Sequence, residues 1–195
     1  MAIREILEVP DPRLKTVSEP VTADEFNDDL RVLIDDMFET MYAAHGIGLA
    51  AIQVGVPKRL LVIDLQPEDP DAEPIECDHD HGDDGGHKHT HPALKKEPRI
   101  FVNPVILDPA EELSTYQEGC LSVPDIYADV DRPATCTVRW QDLDGNEHTE
   151  ALEGMMATCI QHEMDHLEGI LFLDHLSRLK KQMALKKLKK LRLAA

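Results

Sequence analysis

At 195 residues with 42% apolar side chains, the chain is long enough to bury one ordinary core and too short for two large domains. A formal charge of −18 repels a nucleic-acid backbone over most of the surface, and apolar runs of only a handful of residues exclude a membrane-spanning helix. Four cysteines without C-x-x-C spacing, behind an N-terminus with neither an h-region nor a cleavage site, are expected to be free thiols in a reducing cytoplasm.

In chain order, "VTADEFNDDLRVLIDDMFETMYAAHG" carries Thr22 and Glu25 in capping-box spacing. The stripe Phe26, Leu30, Leu33, Met37 and Met41 then predicts an amphipathic helix that stops at Gly46. "GIGLAAIQVG" is too glycine-rich at its start for a helix interior and reads as a turn leading into the buried strand "RLLVID". Residues 66–98, rich in Pro, Gly, Asp and His, read as a disordered or loosely held insertion. "RIFVNPVIL" resumes strand character, "TCTVRWQDLDGNEHTEAL" predicts a hairpin turning at Asp144-Gly145, and Gly154 to Leu167 reads as a helix. Residues 175–195 read as a last, Leu- and Lys-rich helix. Without regular β-α alternation the expectation is a single α+β domain over 1–195, antiparallel strands packed around the Gly154–Leu167 helix.

In "HEMDH", His162 and His166 stand four apart on one helix face, so both imidazoles can reach one metal ion while Glu163 sits beside it. The bland reading is a pair of hydrogen-bonded core histidines. Against it stands the apolar flank of Cys159, Ile160, Met164 and Leu167, in which an unpaired Glu163 is costly to bury unless a metal-bound water partners it. A hydrolytic metal needs a third protein ligand and an open position. Downstream candidates fail, because the final ligand position of the metzincin pattern is Phe172 and no glutamate lies beyond Glu168. Upstream, spacing leaves Cys120 in "QEGCLSVP" only slightly ahead of Cys136, Cys159 and His148.

"GIGLAAIQVG", "EGCLSVP" and "QHEMDHLEG", in that order, resemble the three signature motifs of the peptide deformylases, which remove the formyl group from the initiator methionine of new bacterial proteins. "EVPDPRLKTVSEPV" and "GILFLDHLS" extend the resemblance, which leaves chiefly the His-rich insertion outside. It implies Cys120, His162 and His166 as ligands of one divalent metal, commonly Fe²⁺, with Zn²⁺, Ni²⁺ or Co²⁺ able to replace it. It implies Glu163 as the catalytic acid/base, Gln53 and the backbone N–H of Leu121 as donors to the formyl oxygen, and Gly48 as a backbone rail for the peptide. The methionine pocket would draw on Ile47, Tyr116, Met155, Thr158 and Cys159. Asp125 departs from the family, where many relatives have glycine, which affects a loop at the rim of the site.

From His175 onward there are eight Lys or Arg and no Asp or Glu. This tail resembles the helix by which some deformylases dock on ribosomal RNA; the alternative is that Leu176, Leu179 and Met183 pack inward and the lysines are a solvated face. The protein is expected to be a cytoplasmic monomer without membrane contact, acting on formyl-methionyl nascent chains. Two rivals are a metallopeptidase, which lacks its downstream ligand, and a metal-storage protein built on the insertion, which predicts several ions per chain and no hydrolysis.

Overall fold

The computed structural model describes residues 2–73, 75–77 and 89–194. Helix α1 spans Asp28–Ala43. It starts two residues after the predicted stripe, because Asn27 Oδ1 accepts the N–H groups of Asp29 and Leu30 and is the true N-cap. Glu25 does reach back to the Thr22 N–H at 2.8 Å, but that closes a separate 3₁₀ turn, Ala23–Glu25. The helix ends at Ala43, ahead of Gly46, where His45 takes a left-handed φ of 55°.

Five antiparallel strands form the main sheet: β1 (Gly48–Ala50), β2 (Leu60–Ile63), β5 (Arg99–Pro109), β8 (Thr135–Gln141) and β9 (Glu147–Glu153), in the order β1-β2-β5-β8-β9. Every residue of β2 is fully buried, because the sheet is covered on both faces. Leu61 and Ile63 face Phe101, Val138 and the second helix, α2 (Gly154–Leu167). Leu60 and Val62 face Ile34, Met37 and Met41 of α1. Each such side chain contributes about 1.5–3 kcal/mol by leaving water, and the two-residue period of β2 divides that gain between the two cores.

The short ladder β3 (Ile75–Cys77) with β4 (His89–His91) lies within the expected insertion, of which residues 74 and 78–88 fall outside the described part. A long hairpin, β6 (Leu113–Cys120) with β7 (Val123–Pro133), stands apart from the main sheet. No strand was predicted over most of it: "EELSTYQEG" is largely polar, and β6 alternates exposed with half-buried residues over Leu113–Gln117. Its inner residues Val123, Ile126 and Val130 make a third core with Leu7, Leu14, Phe172 and Leu188.

Leu188 belongs to helix α3, Arg178–Ala194. The inward face of α3 is Ala184, Leu185 and Leu188, whereas Leu179 and Met183, which the packing alternative puts inside, are 69% and 64% exposed. Of the three residues in that alternative only Leu176, just before the helix, packs inward. Among the described residues no helix is long and apolar enough to cross a membrane.

Candidate active site

Helix α2 begins where β9 ends, and a Schellman closure stops it: Gly169 N–H reaches His166 O at 3.1 Å and Ile170 N–H reaches Asp165 O at 2.9 Å. Gly169 holds φ 69°, and a Cβ there would sit 2.6 Å from the Lys15 carbonyl, so the stop needs glycine. This closure fixes His166 in the last turn and His162 one turn before it. Their rings lie 5.2 Å apart between centroids, nearly edge-on, at 8% and 1% residue exposure.

Cys120 arrives from the end of β6. Its Sγ lies 3.2 Å from His166 Nε2, and one donor atom from each of Cys120, His162 and His166 falls within 4.8 Å of the others. A thiolate and two imidazoles suit a borderline divalent ion such as zinc, iron, nickel or cobalt. Of the other upstream candidates, Cys136 is buried between the sheet and α2, and His148 pairs with Asp142 at 2.7 Å. Cys159 lies near the cluster, but burial pushes its thiol far above the ordinary range, which keeps it a neutral hydrophobe.

Behind His162 lies a network that sequence reasoning missed. His162 Nδ1 bonds Glu118 Oε2 at 2.8 Å. Both Glu118 oxygens are gripped by Arg132, from Nε at 2.5 Å and Nη2 at 3.0 Å, and Arg132 Nη1 donates to Asp165 at 2.9 Å. Burial alone would raise the Glu118 carboxyl, yet the hydrogen bonds from His162 and Arg132 outweigh it and hold the group down at about 2. The ionised carboxylate fixes the His162 ring and leaves Nε2 for the cluster, the usual arrangement behind a metal-bound histidine. The one sequence signal was a glutamate two places before Cys120; nothing local marked Arg132.

Glu163 is 4% exposed, and its Oε2 has no hydrogen-bond partner among the described atoms. Burial pushes its carboxyl up to about 7, against the opposing pull of His162. It lines a cavity of about 620 Å³ together with Ile47, Gly48, Gln53, Tyr116, Cys120, Leu121, Met155, Thr158, Cys159 and His162. All the expected site residues except His166 thus reach one space. Gln53 is 1% exposed in a 3₁₀ turn, its Oε1 accepting Ala50 N–H at 2.8 Å and its Nε2 donating to Ser122 Oγ at 3.1 Å and Cys120 Sγ at 3.6 Å. Among further lining residues, Tyr127 lies so close over Gly119 that a Cβ there would meet its ring at 2.6 Å.

Two imidazoles of one helix, a thiol from a neighbouring hairpin and a buried carboxyl with one oxygen unpartnered, lining a cavity, define a metal-dependent hydrolase. Residues 3–182 match the polypeptide deformylase family. The chain is 79% identical over 196 residues to a peptide deformylase of Erythrobacter litoralis and 72% identical over 195 residues to one of Novosphingobium aromaticivorans, with 100% of each chain covered in both cases. Its fold is similar to the crystal structure of a peptide deformylase from Legionella pneumophila, at 41% identity and a TM-score of 0.80 over 99% of this chain and 97% of that one. It is also similar to the Ehrlichia chaffeensis enzyme in complex with actinonin, at 38% identity and a TM-score of 0.78 over 97% and 98% of the two chains. The chain belongs to the polypeptide deformylase family, whose reaction is the metal-dependent hydrolytic removal of the formyl group from an N-terminal formyl-methionine.

Proposed function

We propose that Cys120, His162 and His166 hold one divalent cation, Fe²⁺ in the native protein with Zn²⁺, Ni²⁺ or Co²⁺ able to take its place, and that Glu163 is the acid and base of the reaction. The observation that carries this reading is the buried, unpartnered Glu163 oxygen on the wall of the cavity that Cys120 and His162 also line. When bound, the cation supplies Lewis acidity that lowers the pKa of an attacking water toward neutrality. Glu163 takes the proton from that water and delivers it to the departing amine, so that formate and a free α-amino group leave.

Gln53 and the Leu121 N–H donate to the formyl oxygen as charge develops on it; losing one such donor costs about 10²–10³ in rate. For Gln53 this means exchanging its longer contact, the 3.6 Å one to Cys120, for the substrate. The peptide adds to the sheet at β1, which is an edge strand whose Gly48 lines the cavity. Ile47, Tyr116, Met155, Thr158 and Cys159 receive the methionine side chain.

The test is formate release from formyl-Met-Ala-Ser by anaerobically purified protein, paired with metal analysis of the same sample. Glu163→Ala should lose about 10²–10⁴-fold in rate while keeping about one ion per chain, because the carboxylate is no ligand. Turnover at the parent rate refutes the assignment. Several ions per chain with no formate release would instead favour metal storage.

The protein works as a cytoplasmic monomer on nascent chains, and α3 brings it to ribosomal RNA. Its inner face packs on the third core through Ala184, Leu185 and the buried Leu188, and seven of its eight cations sit at exposed positions along the helix. Salt-dependent co-sedimentation with ribosomes should disappear when the residues after Leu179 are removed; sedimentation that persists refutes docking through α3.

A further inference from the structure

Asp64, directly after β2, is fully buried. Its Oδ2 accepts from the Tyr42 hydroxyl at 2.6 Å, and its Oδ1 accepts the N–H groups of Gln66 and Glu97 at 2.9 and 3.1 Å. Those two amides stand at the two ends of the insertion, so one carboxylate clasps the point where the chain leaves the sheet and returns. The neck continues outward through Lys95 N–H to Pro67 O at 2.8 Å and Asp69 N–H to Ala93 O at 2.7 Å. The Lys96 ammonium also rests 4.1 Å over the Tyr42 ring. The root of the insertion is a built joint, and the expectation of a loosely held segment does not extend to it.

The joint is also tied to the cavity wall. Asp64 N–H donates to Ile47 O at 2.9 Å, and Gln66 Nε2 donates to Gly46 O at 3.1 Å. To aim that amide, Gln66 holds a left-handed φ of 48°, a conformation unfavourable for a side chain with a Cβ and retained only where its surroundings over-determine it. Clearance at the wall is small: a Cβ on Gly46 would lie 2.8 Å from Leu121 Cδ1. A slight movement of the Gly46 carbonyl therefore alters the gap between Gly46 and Leu121, which both line the cavity.

We infer that Asp64 and Gln66 are positioning residues of the substrate cleft, through which the neck of the insertion holds the Gly46–Gly48 wall in the place that receives the peptide backbone. The inference rests on the reading above, that the peptide docks along β1. Gln66 acts through Gly46 on binding and touches none of the reacting groups. It should therefore govern how tightly a peptide is held, with little effect on the chemical step.

The experiment compares the metal-loaded parent with Gln66→Ala, Gln66→Glu and Gln66→Lys, all checked for metal content and Tm. Formate release from formyl-Met-Ala-Ser gives KM and kcat, and equilibrium binding of the product peptide Met-Ala-Ser gives a Kd that needs no turnover. Loss of the donated hydrogen bond in the Ala and Glu variants should raise both KM and Kd by roughly 3- to 10-fold, with kcat within about twofold of the parent. The isosteric Glu keeps the shape and loses the donor, whereas Lys restores a donor and should return both constants to near the parent values. Unchanged Kd in the Ala and Glu variants, failure of Lys to restore it, or kcat falling in step with KM overturns the inference. A parent that binds Met-Ala-Ser but releases no formate refutes the reading of the site, and the Kd series still decides this one.

Discussion

Gly48→Ala is the smallest change that should disable the enzyme. The Cβ it adds would stand 2.5 Å from Glu163 Oε1 and 3.0 Å from Cys159 Sγ, where ordinary contact begins at 3.4 Å, a shortfall of about 0.9 Å at the carboxylate. The wall cannot retreat easily, since β1 is paired through Gly48↔Ile63 and the Ile47 carbonyl is held by Asp64 N–H. Glu163 therefore moves by most of that shortfall. A displacement near 1 Å in a reacting group costs about 10²-fold, so kcat/KM for formyl-Met-Ala-Ser should fall by about that factor. Overpacking should also cost about 1–3 kcal/mol of stability, read as a lower denaturant midpoint. Metal content should stay at the parent level, because the nearest neighbours of the new methyl include none of Cys120, His162 and His166. A variant within about threefold of the parent in kcat/KM would refute both the placement of Glu163 against β1 and its role.

Two further variants probe the network behind the proposed metal ligands. Glu118→Gln puts an amide N–H against either the His162 Nδ1–H or the Arg132 fork, and should weaken metal affinity by about 10- to 100-fold in a competition titration against a chelator; unchanged affinity would show that Glu118 does not orient His162. Arg132→Met leaves Glu118 and Asp165 without their shared cation inside the protein, and should cost about 3–5 kcal/mol in urea unfolding, with the double variant Glu118→Gln/Arg132→Met recovering part of it; a loss below about 1 kcal/mol would mean that water reaches the pair.

Much of this was legible along the chain, because it depends on neighbours in sequence. The four-residue spacing of His162 and His166 and the helix from Gly154 to Leu167 follow from local backbone geometry and from hydrogen bonds that span only a few residues. Three short motifs in order also pointed to the family to which the chain proved to belong. The start of α1 was misplaced because Thr22 and Asn27 both offer a capping side chain, and only the competition between their turns decides which one the helix uses.

Other features required the folded chain. Spacing alone left Cys120, Cys136, Cys159 and His148 all open as partners for the two histidines, whereas the register of β6 with β7 carries Cys120 to them and packing keeps Cys136 and His148 elsewhere. The hydrogen bonds from Arg132 to Glu118, Arg132 to Asp165 and His162 to Glu118 join residues 14, 33 and 44 apart, and the Asp64 clasp reaches Glu97, 33 residues on. Periodicity records only which way a side chain faces along its own helix or strand. Which faces meet is settled when the separate cores close together, and that closure brought the cluster, its buried support and the cleft wall into one place.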